Sequence, residues 1–293
     1  MPPVGALLSA AVERLEHAGV PEPRVDAELL LAELLDCSRG ALWLRRRESA
    51  TAAQAERFAV WLDRRAAREP LQHIVGHQEF RGLRFAVDRR ALIPRPESEG
   101  LVDAVLCWPL EMGARVADLG TGSGCLAVSL AVERPDLRID ALDRSVAALE
   151  LAAENARRHG VERRVHFCAG EMAHPPAAWH GRMDAVLSNP PYVAEATWRE
   201  LEPEVRDHDP RVALVPGPDG LEAYRGLAPA ARALLRPGAP LLLEIGWGQA
   251  AAVGALVARS GFEVHAVHDD LNGIPRVLVA LPATNLSTPG GES

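Results

Sequence analysis

From about residue 98 onward, short apolar runs alternate with amphipathic helical patterns, and this alternation constrains the fold more than any other feature. The runs are RVADL (115–119), RIDAL (138–142), RVHFC (164–168), DAVLS (184–188), PLLLEI (240–245), EVHAV (263–267) and RVLVA (276–280). Helical spacing of apolar residues fills 124–133, 145–159, 221–235 and 248–260 between most of them. Such a succession implies a doubly wound, mostly parallel α/β sheet. The last two runs are joined by HDDLNGIP with no helix between them, so they are expected to pair antiparallel at one edge.

The preceding segment has a different character. Up to residue 70, Leu7, Leu8, Ala11, Val12 and Leu15 recur at helical spacing, as do Val25, Leu29, Leu30 and Leu34. A third helix is expected from the N-cap Thr51 through Phe58, Trp61 and Leu62 to about Arg68. Residues 1–70 therefore read as a small helical domain. Residues 71–97 read as a linker holding a β-hairpin around Gly82, with Phe80, Leu83, Phe85 and Val87 as its apolar positions. The α/β domain spans 98–282, and the polar tail 283–293 is expected to be disordered. Arg45, Arg46, Arg47, Arg64, Arg65 and Arg68 are read as a solvated helix surface, because acids are equally common there.

Composition excludes several classes of function. A formal charge of −8 opposes sequence-independent attraction to a phosphate backbone, so direct nucleic-acid binding is not expected. No apolar run is long enough to cross a bilayer, and the first residues lack a basic leader, so the expected location is the cytoplasm. Cys37, Cys107, Cys125 and Cys168 form no C-x-x-C pair, which argues against a disulfide framework and a zinc ribbon. No metal is expected.

Two motifs carry chemistry. VADLGTGSGCLAVSLA places Gly120, Gly122 and Gly124 directly after the first α/β strand, where glycine lets backbone turn sharply and approach a ligand. Asp143 ends the next strand and can accept both hydroxyl hydrogen bonds of a ribose. A glycine loop with a ribose acid implies an adenosine cofactor. A P-loop is excluded, since no Gly-Lys-Ser/Thr follows and the chain has no lysine. The second motif is VLSNPPYV: a buried strand ending in Asn189, Pro190, Pro191 and Tyr192. The Asn189 side-chain oxygen and the Pro190 carbonyl can accept both N–H bonds of a planar NH2 group, which aims its lone pair at an electrophilic methyl. The prolines hold that carbonyl at little entropic cost, and Tyr192 offers a flat wall. This chemistry suits a methyl acceptor nitrogen on either a protein amide or a nucleic-acid base.

With these residues in place, the chain resembles the PrmC/HemK family of release-factor glutamine methyltransferases over about residues 5 to 281. The resemblance rests on EPLQHIVGHQEFRGLRFAVDRRALIPRPESE, DLGTGSG, SNPPYV, EVRDHDPRVAL, GPDGLEAYR and LLLEIGWGQ. It implies a class I, Rossmann-like methyltransferase fold with seven strands, the last antiparallel. It implies S-adenosylmethionine as donor and, as substrate, the glutamine of the Gly-Gly-Gln loop in class 1 peptide chain release factors. By position, Gly120, Thr121, Gly122, Ser123 and Gly124 would bound the donor's methionyl end and Asp143 its ribose. Asn189, Pro190, Pro191 and Tyr192 would hold the glutamine amide, with Asn189, Pro190 and Tyr192 as catalytic residues and Asn189 also touching the donor, while the helical domain and hairpin help grip the release factor. Two positions depart from the family pattern. Glu171 and Met172 replace the usual Asp-Trp, leaving the Met172 thioether to cover the adenine, and Glu97-Ser98 replaces Asp-Thr with little expected effect.

Overall fold

The computed structural model describes residues 2–283, and the rest of the polar tail lies outside them. Among the described residues, no helix is long and apolar enough to cross a membrane. The chain divides into two compact units. One holds the described residues up to His77, with Val87–Arg89 and Leu201–Asp209; the other holds Gln78–Ala86, Arg90–Glu200 and the described residues from Pro210 onward. The stretch read as a linker thus contributes to both units, and nine residues from the middle of the expected α/β domain belong with the helical one.

The helical unit contains α1 (Val4–His17), α2 (Pro23–Leu34), α3 (Arg39–Leu44), α4 (Ala52–Ala66) and α5 (Leu71–Val75), with a one-turn helix Pro203–Arg206 from the returning segment. Leu15, Leu30, Leu31, Leu42 and Phe58 are fully buried at its centre. A capping box opens α4: the Thr51 hydroxyl accepts from Gln54 N, and the Gln54 side chain accepts from Thr51 N. Arg65 in α4 and Arg68 just past its end do not belong to the solvated face that their sequence suggests. Arg65 is only 5% exposed. It donates to Asp26 at 2.6 Å and to Glu204 at 2.7 Å, while Arg68 reaches both Glu202 and Glu204. Burial raises the Glu204 pKa, but the bonds from Arg68 and Arg65 outweigh it and hold the carboxyl near 2. The acids that balance Arg65 and Arg68 come partly from more than 130 positions away, so only folding reveals the pairing.

β1 (His77–Phe80), which lies in the second unit except for its first residue His77, pairs with β2 (Leu83–Ala86) in the expected hairpin. Its two turn residues, Arg81 and Gly82, both have positive φ, 51° and 70°, which matches the twist of the flanking strands. Phe80 and Phe85 meet edge to face at 6.1 Å and are buried in the core. The main sheet has seven strands in the order β5-β4-β3-β6-β7-β9-β8. These are β3 (Arg115–Leu119), β4 (Arg138–Asp143), β5 (Val165–Ala169), β6 (Ala185–Ser188), β7 (Leu241–Glu244), β8 (Phe262–Asp269) and β9 (Pro275–Pro282). Strands β3 to β7 run parallel; β9 pairs antiparallel with both β7 and β8, as its helix-free connection requires. Helices α6 (Glu99–Leu106), α7 (Cys125–Glu133), α8 (Val146–Arg158), and then Glu222–Leu234 and Ala250–Arg259, accompany the strands. Strand order reverses at β3: β4 and β5 extend to one side, β6 and β7 to the other. The crevice beyond the carboxyl ends of β3 and β6 is therefore the switch point at which such sheets bind ligands.

Candidate active site

The glycine loop leaves the carboxyl end of β3 with Gly120, Gly122 and Gly124 at φ of 84°, 56° and 80°, a region closed to most side chains. Gly120 N and Thr121 N both donate to Leu142 O, at 2.7 and 2.9 Å, pinning the loop to the end of β4. A Cβ on Gly124 would lie 2.9 Å from that of Ala152, so glycine there lets the start of α7 approach α8. Asp143 is half-buried and accepts from Gly122 N at 2.9 Å and from Ser145 N at 2.8 Å. Each of its oxygens keeps a further lone pair for a ligand hydroxyl. Met172 packs onto this loop, its methyl 3.1 Å from where a Gly120 Cβ would stand, while Glu171 is exposed and faces Arg144.

Beneath the loop lies Asp118, completely buried. Its Oδ2 accepts from the Thr121 hydroxyl at 2.6 Å, and its Oδ1 has no hydrogen-bond partner among the described residues. Burial, with the nearby Asp143 charge, pushes its pKa up to about 7. The loop glycines, the half-buried Asp143 carboxylate and the Met172 thioether form a donor set that fits a nucleoside, with the Asp118 carboxyl buried beneath it.

The second motif lies across the switch point. Strand β6 is buried throughout, and the hydroxyl of its last residue, Ser188, donates to Leu119 O, tying the ends of β6 and β3 together. The chain then enters Asn189, half-buried, and Pro190, buried. Asn189 Nδ2 donates to Ser98 Oγ at 3.0 Å, and Ser98 Oγ donates to Glu244 Oε2 at 2.5 Å. Tyr192 Oη faces the other oxygen, Glu244 Oε1, at 3.4 Å. Burial of Tyr192, with the Glu244 charge beside it, raises the phenol pKa, so it stays protonated and able to donate. Gln249 braces the corner by donating to Tyr192 O at 3.0 Å while accepting from Gly246 N at 3.0 Å. Val193 N donates to Leu214 O at 2.9 Å, and Ala194 bridges to Gly217.

The fold gathers Gly120 to Gly124, Asp143 and Met172 at the ends of β3 and β4, and Asn189 to Tyr192 at the end of β6. Sequence reading assigned no role to Asp118, Glu244, Gln249 or Gly220, and expected only a harmless exchange at Ser98. An acid closing the otherwise apolar LLLE run was the one available signal. Away from this site, Glu69, His73 and His208 bring ligand-type atoms within 4.8 Å of one another. Both Glu69 oxygens already accept from Arg64, and His208 Nδ1 faces Arg89 at 3.0 Å. His73 and His77 are four residues apart, a ligand-like spacing. Gly76, left-handed at φ 81°, ends α5 between them, and His77 begins β1.

Comparison with known proteins agrees with this architecture. Residues 6–76 match the family described as PrmC N-terminal domain, and residues 102–202 the family described as Methyltransferase small domain. A release factor glutamine methyltransferase of Cereibacter sphaeroides is 47% identical over 277 residues, covering 94% of this chain and 98% of its own length. One of Nitratidesulfovibrio vulgaris is 42% identical, covering 94% and 93%, and one of Moorella thermoacetica is 46% identical, covering 87% and 89%. A solved methyltransferase from Pyrococcus furiosus shares the fold, with a TM-score of 0.52 at 15% identity over 80% of this chain and all of that one. A two-part chain matched end to end at this identity, on a methyltransferase sheet with its glycine loop and Asn-Pro-Pro-Tyr corner at the switch point, belongs to the release factor glutamine methyltransferase family.

Proposed function

We propose that this protein transfers a methyl group from S-adenosylmethionine to the side-chain amide nitrogen of the glutamine in the Gly-Gly-Gln loop of a class 1 peptide chain release factor. The observation that carries this reading is the acceptor corner. Asn189 commits its Nδ2–H to Ser98, which turns Oδ1 away from Ser98 as the acceptor of the side chain. Beside it, Pro190 presents a carbonyl on a backbone whose φ is fixed by its ring. A primary amide has two N–H bonds to satisfy, and this pair of acceptors matches them. Tyr192 supplies an apolar wall for the flat amide.

Gly120 to Gly124, Asp143 and Met172 would hold the donor, which supplies a methyl on a positively charged sulfur. The acceptor nitrogen's lone pair would form the new N–C bond as the C–S electron pair left with the donor's sulfur. The nitrogen then sheds one proton to water, so no general base is required. The protein contributes position and a preorganised pair of acceptors for the amide hydrogens. The helical unit and the hairpin are the surfaces we assign to gripping the release factor.

The test is incubation with labelled methyl donor and either a release factor, a peptide containing its Gly-Gly-Gln loop, or duplex DNA. Label is expected on the glutamine. Label on DNA alone, or on none of them, would sink the assignment. Asn189→Ala is expected to keep donor binding while losing at least a hundredfold in kcat, roughly the size of effect seen when one well-placed donor or acceptor is removed.

A further inference from the structure

An amide side chain has two ends of similar shape and opposite polarity, so Asn189 works as an acceptor only if something fixes which end faces the substrate. In this fold that something is the Ser98 hydroxyl. It accepts from Asn189 Nδ2 at 3.0 Å because its own hydrogen is spent on Glu244 Oε2 at 2.5 Å. Ser98 ends the short turn Pro96–Ser98 and is 2% exposed; Glu244 ends β7 and is 1% exposed. Both are buried, and each determines the direction of the next bond. We propose that Ser98 and Glu244 are positioning residues for methyl transfer: a one-way relay, Asn189 to Ser98 to Glu244, that holds the Asn189 amide with its oxygen toward the substrate nitrogen. This inference rests on the amide-methylation reading above and deepens it.

The relay has a direction only while Glu244 is an acceptor. A proton on Oε2 would donate to Ser98, free the serine hydrogen to point at Asn189, and favour the flipped amide, whose NH2 repels a substrate NH2. Burial pushes the Glu244 pKa up to about 7, so this reversal falls in an accessible pH range. Among the described residues, Tyr192 contacts Glu244 directly, and Glu97, Arg276, Tyr224 and Cys125 are coupled to its charge. Arg276 favours the charged acid and Glu97 opposes it. The two phenols and the thiol are all shifted upward, so none of them titrates near pH 7.

Two measurements test the relay, one of them without turnover. The chain has four asparagines, so the Asn189 side-chain NH2 is assignable by NMR through loss of its signals in Asn189→Asp. In the wild-type protein those hydrogens are expected to exchange at least tenfold more slowly than in Ser98→Ala, and Ser98→Thr is expected to restore protection. In parallel, Ser98→Ala is expected to lower kcat at least tenfold. Its donor Kd stays within twofold of wild type, and the rising limb of the kcat–pH profile near pH 7 is lost. Ser98→Thr keeps the hydroxyl and is expected to retain kcat within about threefold and to keep the limb. A wild-type Asn189 NH2 that exchanges as fast as in Ser98→Ala, or a Ser98→Ala enzyme with more than half of wild-type kcat, would overturn the relay. Failure of the wild-type protein to label the glutamine peptide, with the protected NH2 intact, would overturn the substrate assignment and leave the relay standing.

Discussion

Gly220 stands directly against the carbonyl of Tyr192: a Cβ at Gly220 would lie 2.4 Å from that oxygen and 3.0 Å from Ala194 N. Both obstacles are backbone, and Gly220 is itself left-handed at φ 73°. Glycine is therefore what lets the segment after Leu214 close over the acceptor corner. Gly220→Ala is expected to cost about 2 kcal/mol of stability through strain alone. Turnover is expected to fall at least tenfold because Tyr192 must move. Thermal melts and kcat on the same sample check both parts, and an unchanged kcat would show that the corner does not depend on this contact.

Asp143 serves the loop before it serves any ligand, since Gly122 N and Ser145 N each bond one of its oxygens. Asp143→Asn replaces one acceptor with an NH2 aimed at a backbone N–H. The dissociation constant for S-adenosylmethionine is expected to rise at least tenfold, about 1.4 kcal/mol, as a hydrogen bond to a charged group is lost. Titration calorimetry reads this directly, and a constant within twofold of wild type would remove Asp143 from the donor site.

Trp247 is 80% exposed although Gly246 and Gln249 on either side are tied to the corner. An exposed tryptophan on a braced loop has the makings of a contact for a protein substrate. Trp247→Ala is expected to raise KM for the release factor several-fold while leaving kcat and the melting temperature unchanged. Steady-state kinetics with intact release factor decides it, and an equal effect on a short glutamine peptide would argue against a protein-surface role.

Arg65 is the buried centre of the ion pairs in the helical unit, touching Asp26 and Glu204. Arg65→Ala strands Asp26, leaves Glu204 to Arg68 alone, and is expected to cost about 3 kcal/mol. Glu204 has its pKa lowered to about 2 by Arg68 and Arg65 against the opposing effect of burial. A lowered folded-state pKa contributes stability above the ordinary carboxylate range, and that contribution is lost as pH falls from about 4.5 toward 2. Acid-unfolding curves should therefore show a smaller pH dependence in Arg65→Ala over that window. Parallel curves would refute the linkage.

Glu244 has the opposite sign. Its pKa is raised to about 7, so its favourable contribution is complete below about 4.5 and is lost as pH rises through 7. Glu244→Gln cannot ionise, so it is expected to be more stable than wild type by about 2 kcal/mol at pH 8 and nearly equal at pH 5. Melting temperatures at the two pH values measure the difference. A gap of the same size at both would mean that buried charge is not the cost.

Much of this protein could be read from sequence because local patterns carry it. Apolar runs, helical spacing and the helix-free HDDLNGIP connection specify seven strands and the antiparallel β9 through hydrophobic burial and chain connectivity alone. The glycine loop, Asp143 and the Asn-Pro-Pro-Tyr corner were visible for the same reason: each is a contiguous motif whose residue types limit its backbone. Pairings across long sequence separations were hidden. Nothing local in α4 tells that Arg65 and Arg68 are consumed by Glu202 and Glu204, or that the Ser98 hydroxyl meets Asn189 91 positions later and Glu244 146 positions later. Hydrogen bonds and ion pairs have a range of a few ångströms, and only the packed sheet brings those atoms within it. The sequence by itself determined which groups are offered for the proposed chemistry; the tertiary structure decided which way the amide of Asn189 points.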